Sequence, residues 1–280
     1  MLQFKKASIF TRKYEEELSI EEVPKGGVLA VWGSPSSGKT TVAVKLAKYL
    51  ADHKKNVILV LCDMTAPMLP CICSTSSLEC QKGSNRPYGS LGSILSSAHV
   101  TEQIIKDNMI THKKMAHFTM IGMLKGENEY TYAAYSRVQA EELIASLRKI
   151  APYVIIDCSS YIANDILSAV SIMECDSLLR LSNCDLKSIS YLSSQLKLLY
   201  NNKLNSSKQY KVLSNVKPNH GIEHIAGALG NIDYQLPYSE EIEEQYLEGD
   251  LLANLNLKNS RGFRKEIEKI AERQGGNSGF

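Results

Sequence analysis

The chain has 280 residues, of which 44% are hydrophobic and 22% charged, and its net charge is +2. That balance excludes bulk disorder, a collagen-like or low-complexity chain, and a strongly basic nucleic-acid coat. The longest clean apolar run, Val57 to Cys62, falls far short of the ~18 residues that a membrane span needs.

Residues 1–25 are polar, without a clear period, and read as an N-terminal extension. Their charged start, MLQFKKASIFTRKYEEE, lacks the apolar centre of a secretion signal, so a cytoplasmic protein is expected. Val28 to Trp32 is rich in strand formers, and a Gly/Ser/Pro turn follows. Residues 39–52 carry Val42, Leu46 and Tyr49 at helical spacing, and Val57 to Leu61 is a second apolar strand. Strand, crossover helix and strand make a βαβ unit, hence a parallel sheet buried on both faces. The segment 63–90 is irregular and crowded with Ser, Pro, Cys and Gly, and loops of that length are usually functional or mobile.

Short helices are expected at 91–97 and 101–108, a strand at 117–121, and an amphipathic helix from Arg137 to Lys149. Strands at 153–156, 177–181, 210–213 and 232–236 follow, with helices at 162–173 and 186–200. The alternation predicts a doubly wound α/β domain, a mostly parallel sheet of about seven strands with helices on both faces. The expected division is an extension over 1–25, one domain over 26–258, and a C-terminal helix and flexible tail over 259–280.

Seven cysteines, an odd number in a long unsignalled chain, argue against a disulfide framework. Cys71, Cys73 and Cys80 form a C-x-C-x6-C cluster, which departs from the paired spacing of zinc sites and reads as ordinary loop residues. The tyrosines Tyr130, Tyr132 and Tyr135 suit either a partner surface or packing beside the helix that follows. In the stretch Arg261 to Gln274, Phe263, Ile267, Ile270 and Ala271 share one helical face. It suits packing onto the domain or a partner better than a membrane surface, given three acids among its charges.

The chemistry concentrates in Gly33-Ser34-Pro35-Ser36-Ser37-Gly38-Lys39-Thr40, which fits G-x-x-x-x-G-K-[ST] between a strand and a helix. Glycines let the loop curl so that successive N–H groups point at phosphate oxygens, and the helix start adds its positive dipole end. Gly33, Ser34, Ser36, Ser37, Gly38, Lys39, Thr40 and Thr41 are therefore the expected nucleotide-binding residues. Lys39 supplies charge to the β- and γ-phosphates, and the Thr40 hydroxyl is placed to ligate Mg²⁺. Asp157 ends the strand 153–156 as an acid that holds the Mg²⁺ water shell, or else caps a helix. Asp63 ends the strand after the P-loop helix, where it either orients the attacking water or is a plain turn residue.

These motifs resemble the ParA/MinD family of P-loop ATPases, from about Gly27 to about Leu252. The resemblance rests on GSPSSGKTT, LVLCDMTAPML, VIIDCSS, ECDSLLRLSNCDLKSISYL, YKVLSNVKP and YQLPYSEEIEEQYLEGDLL. It implies ATP and Mg²⁺ as ligands, an ATP-dependent homodimer, and slow hydrolysis stimulated by an activating partner protein. By position it makes Lys39 and Thr40 the phosphate and magnesium ligands, Asp63 the water-positioning acid, Asp157 the Walker-B acid and Asn215 the reader of adenine. The implied role is a switch in positioning or assembling a partner, such as DNA cargo, a pilus or secretion machine, or a cell pole. The sequence departs from the family at Ser34, where a second lysine normally reaches the partner subunit's nucleotide, and Pro35 and Ser36 replace a glycine pair. Among relatives, the TadZ/CpaE-like pilus-assembly proteins also carry atypical P-loops. A serine cannot neutralise a γ-phosphate, so a nucleotide-binding scaffold with little hydrolysis stands as the alternative. A kinase on the same fold is a third reading, disfavoured because residues 247–280 contain no tyrosine. A net charge of +2 gives DNA binding little support beyond a local basic patch.

Overall fold

The computed structural model describes residues 26–79, 89–201, 206–219 and 222–275. β1 (Gly27–Gly33) is buried at every position and runs through the middle of the sheet. Leu29 and Val31 point into one core while Val28, Ala30 and Trp32 point into the other. This is why a central parallel strand reads as an unbroken apolar run. β2 (Val57–Leu61) divides in the same way, with Leu59 on one side and Ile58 and Val60 on the other.

α1 (Lys39–Asp52) joins these two strands. After β2 come the short α2 (Leu69–Ile72), α3 (Leu91–Leu95) and α4 (Glu102–Asn108), then β3 (Ile110–His112) and β4 (Met115–Ile121). The second half is α5 (Arg137–Ile150), β5 (Tyr153–Asp157), α6 (Ile166–Glu174), β6 (Ser177–Asn183) and α7 (Leu186–Asn201). It closes with β7 (Gln209–Val216), α8 (Ile222–Leu229), β8 (Tyr234–Pro237), α9 (Glu240–Glu248) and α10 (Arg261–Gly275).

Among the described residues the sheet has 8 strands in the order β3-β4-β2-β5-β1-β6-β7-β8, all parallel except the β3–β4 pair. The eighth strand is β3, which was not expected. Its three residues are too few to show a period, and it takes its place by antiparallel pairing with β4 at the sheet edge. Two other boundaries move for local reasons. The helix expected from 162 begins at Ile166, because Asp165 caps it by accepting from Ser168 N at 3.2 Å. The strand expected from 232 begins at Tyr234, because Asp233 turns its carboxylate back to the Lys211 amide at 2.8 Å.

α1 and α10 cover one face of the sheet, with Val42, Leu46, Phe263, Ile267 and Ile270 in a common core. On the other face α5 contributes Ala140, Leu143, Ile144 and Leu147. No helix among the described residues is long and apolar enough to cross a membrane. Of the tyrosine cluster, Tyr132 and Tyr135 turn inward to the carboxylates of Glu127 and Asp165, while Tyr130 is 89% exposed. Cys71 lies on α2 and Cys73 just after it, and Cys80 lies outside the described residues.

Candidate functional site

A cavity of about 770 Å³ opens at the carboxyl ends of the parallel strands, where the chain leaves β1, β2, β5, β6 and β7. In open α/β sheets this crevice, at the reversal of strand order, is where ligands bind. Here β1 sits between β5 and β6, so the loop after β1 lies at that reversal.

The loop's shape follows from its residues. Gly33 packs so closely on the neighbouring strand that a Cβ there would lie 2.1 Å from Leu181 O, and Ser34 N donates to that same carbonyl at 3.1 Å. Ser36 and Gly38 take left-handed backbone angles, φ 58° and 77°, which curl the chain over the start of α1. Glycine adopts this freely, whereas serine does so only where its surroundings hold it. Three anchors hold this loop. Ser37 Oγ donates to Ser34 O at 2.7 Å, Ser214 Oγ to Ser37 O at 2.6 Å, and Asn183 Nδ2 to Ser36 O at 3.1 Å. α1 then starts at Lys39 with no side-chain cap and no acid in its first turn. Its leading N–H groups and dipole are left to an anion.

Lys39 Nζ donates to Ser160 Oγ at 2.6 Å and to Ser34 O at 3.3 Å. Burial lowers its pKa, against the opposing pull of the Asp157 and Asp63 carboxylates. Thr40 Oγ1 donates to Asp157 Oδ2 at 2.5 Å, while Asp157 Oδ1 is buried and has no hydrogen-bond partner among the described residues. Burial pushes the Asp157 carboxyl up to about 6, with the Thr40 hydroxyl and the Lys39 charge working in the other direction. Unpaired buried carboxylate oxygens are costly and need a reason. A hydroxyl and an orphaned carboxylate oxygen side by side are the hard oxygen donors that Mg²⁺ selects. The residues present therefore fit that ion.

Asp63 lines the same cavity, its Oδ1 accepting from Thr65 N at 3.0 Å and Ala66 N at 2.8 Å. This turn fixes one oxygen of the carboxylate. Asn215, at the end of β7, also takes a left-handed angle, φ 53°. Its Nδ2 donates to Asn183 Oδ1 at 2.9 Å, so a side-chain relay runs from Asn215 through Asn183 to the P-loop carbonyl of Ser36. Thr41 lines the cavity one residue beyond Thr40.

Ser34 does not face the cavity in the manner of a phosphate ligand. It is buried, and its Oγ donates to Ser188 Oγ on α7 at 3.0 Å. The hydroxyl tethers the loop to a neighbouring helix. Sequence reasoning missed Ser160, Asn183 and Lys217, which also line the cavity. The only signal they offered was their place at or just after the ends of strands β5, β6 and β7.

Comparison with known proteins agrees with this geometry. A family model described as an AAA domain matches residues 25–212. No curated protein matches the sequence significantly. Among solved structures, a ParA family ATPase from Chlorobium tepidum TLS superposes with a TM-score of 0.69 at 17% identity, covering 88% of this chain and 98% of that one. The septum site-determining protein MinD of Pyrococcus horikoshii OT3, complexed with Mg-ADP, gives 0.67 at 16% identity over 89% and 98% of the two chains. The MinC:MinD cell division protein complex of Aquifex aeolicus gives 0.65 at 16% identity over 90% and 97%. The molecule is thus a P-loop domain of the doubly wound class. The chain belongs to the AAA-domain family that this model describes, with the fold of the ParA/MinD ATPases.

Proposed function

We propose that the chain is a Mg·ATP-binding ATPase that acts as a nucleotide-dependent switch in positioning or assembling a partner. The observation that carries this reading is the orphaned Asp157 Oδ1 beside the Thr40 hydroxyl, at the foot of a curled loop whose lysine enters the same cavity. The Mg-ADP complex of the Pyrococcus protein, on the same fold, supports the choice of ligand. The Aquifex complex with MinC supports a partner protein.

In this reading the backbone amides of residues 36–39 take the phosphate chain. Lys39 sets its charge against the β- and γ-phosphates. Thr40 directly, and Asp157 through the ion's water shell, would hold Mg²⁺, which when bound would supply positive charge against the phosphates. Asp63 orients the water for in-line attack, its carboxylate fixed by the Thr65 and Ala66 amides. Asn215, wired to the P-loop through Asn183, reads the base. The boundaries that go with this reading are the extension 1–25, the ATPase domain 26–258 and the C-terminal segment 259–280.

A second reading has its own observation. Ser34 is turned away into a buried contact with Ser188, so this position sends no charge toward a second subunit. That favours a nucleotide-binding scaffold with little turnover. ATP and ADP binding to wild type and Lys39→Ala, with light scattering and phosphate release measured in ATP·Mg²⁺, separates the readings. Loss of the lysine contact should weaken binding about 10- to 100-fold. An ATP-dependent dimer with slow turnover supports the switch. Lys39-dependent binding with constant mass and no turnover supports the scaffold, and equal binding by both proteins overturns nucleotide binding at this loop.

A further inference from the structure

The end of the sheet opposite the cavity carries a second concentration of charge. The tripeptide His-Lys-Lys occurs twice, at 53–55 between α1 and β2 and at 112–114 where β3 turns into β4. β2 and β4 are parallel neighbours, and His117 Nδ1 meets Asn56 Oδ1 at 2.7 Å, so the fold brings both repeats to one edge. Lys54, Lys55, Lys113 and Lys114 are all exposed. Lys113 Nζ donates to Ser76 O at 2.7 Å, and among the described residues none of the four has an acidic partner. The acids at hand are engaged elsewhere: Asp52 binds Lys48 at 2.6 Å, and Glu79 accepts from Thr111 Oγ1 at 2.8 Å. Like charges gathered in this way repel one another and favour an anionic occupant.

The described residues begin at Gly26, at the same end of the sheet. Gly27, Tyr153, Val57 and Phe118 stand level across β1, β5, β2 and β4. By strand spacing, Gly26 therefore lies about 10 Å from Asn56 and about 14 Å from His117. Arg148 holds Gly26 by two backbone contacts, at 2.8 and 2.9 Å, and is itself paired with Asp176. The residues before it include Glu15, Glu16, Glu17, Glu21 and Glu22, with no basic residue between 14 and 23. At full extension a chain spans about 3.5 Å per residue, so Glu22 has a reach of about 14 Å from Gly26 and Glu15 more than twice that. Both lysine pairs fall within that range. A tether this short sets an effective concentration on the order of millimolar, above that of a second copy or a free ligand in dilute solution. We infer that the acidic stretch 15–22 docks on the lysines at 54–55 and 113–114 and covers them against other anions. Exposed ion pairs are individually weak and are screened by salt, so the number of charges and the tether hold the contact. It lies outside the nucleotide cavity and does not depend on that reading.

The test is carbodiimide cross-linking of the full chain, which joins a carboxylate to a lysine amine, read by peptide mass spectrometry. Mixing ¹⁵N-labelled and unlabelled protein separates links within one chain from links between copies. Links from Glu15–Glu22 to Lys54, Lys55, Lys113 or Lys114 should form within one chain, and should fall about fivefold or more between about 20 mM and 0.5 M salt. Links only between copies would make a second chain the occupant and overturn the assignment. So would an absence of these links, or equal linking to Lys265, an exposed lysine on α10. Inorganic polyphosphate is the second probe. A variant with Glu15→Gln, Glu16→Gln, Glu17→Gln, Glu21→Gln and Glu22→Gln should bind it about tenfold or more tightly than wild type. Adding Lys54→Gln, Lys55→Gln, Lys113→Gln and Lys114→Gln should remove that gain. Equal binding by wild type and the glutamine variant would mean that the lysines stand open in the full chain. A gain that survives the lysine changes would place the acidic stretch elsewhere, and either result overturns the proposal.

Discussion

Lys45 carries an ammonium into the interior at the middle of α1, where Nζ donates to Gln245 Oε1 at 2.5 Å and to Ala253 O at 2.9 Å. Burial lowers its pKa from 10.5 to about 8, helped by Lys48 and opposed by Glu241, Asp250 and Asp52. Between those two pH values the unfolded chain holds a proton that the folded chain has released, so stability rises with pH. From pH 7.5 to 9.5 this residue should add on the order of 2 kcal/mol to the unfolding free energy. Urea unfolding of wild type and Lys45→Met at both pH values isolates the effect, because the variant should lack that increment. Nothing in the sequence marked Lys45, since its acceptors stand far along the chain on α9 and the turn after it. Lys39, Thr40 and Asp157 were legible because a P-loop and a strand-end acid are local patterns with one chemical use. Ser160, Asn183 and the inward turn of Ser34 were not, because each depends on a partner that only the packed sheet brings near.

At the scale of elements, the strands and long helices could be read because their apolar residues recur with a clean period. α8 and α9 were missed. α9 is mostly acidic, and its signals are punctuation: Ser239 capping the Ile242 amide at its start, and Gly249 at φ 70° at its end. A Cβ at Gly249 would lie 2.6 Å from Pro70 O, so this stop also seats α9 on α2. α10 illustrates the opposite case, a period visible in sequence whose use only packing decides. Its Phe263, Ile267, Ile270 and Ala271 are buried in the core with α1 and β8. The face suited to a partner or a membrane is therefore spent on the fold. Ile270 is 0% exposed, so Ile270→Ala should cost about 2–4 kcal/mol in urea unfolding. Lys265→Ala, on the exposed side of the same helix, should stay within about 0.5 kcal/mol of wild type.

Across the whole molecule the cavity belongs to no single layer. Its walls include the loop after β1, Asp63 after β2, Ser160 after β5, Asn183 and Asn215 from β6 and β7, Tyr246 on α9 and Phe263 on α10. Phe263 is at once a cavity wall and a member of the core beneath α1. A ligand that filled this cavity would lie against both halves of the sheet and both C-terminal helices, so its binding energy should appear in the stability of the entire domain. Mg·ADP at about 100 times its dissociation constant adds about 2.7 kcal/mol to the folded state. For a domain of this size that corresponds to a rise in Tm of roughly 5–8 °C. The rise should appear as one shifted transition in calorimetry, with no separate early melting of α9 and α10. Lys39→Ala should melt near the ligand-free wild type when empty, and with binding weakened about 10- to 100-fold it should keep about half of the shift or less at the same Mg·ADP concentration. An early transition that ignores the ligand would mean that the C-terminal helices form an independent unit, and that the cavity closes without them.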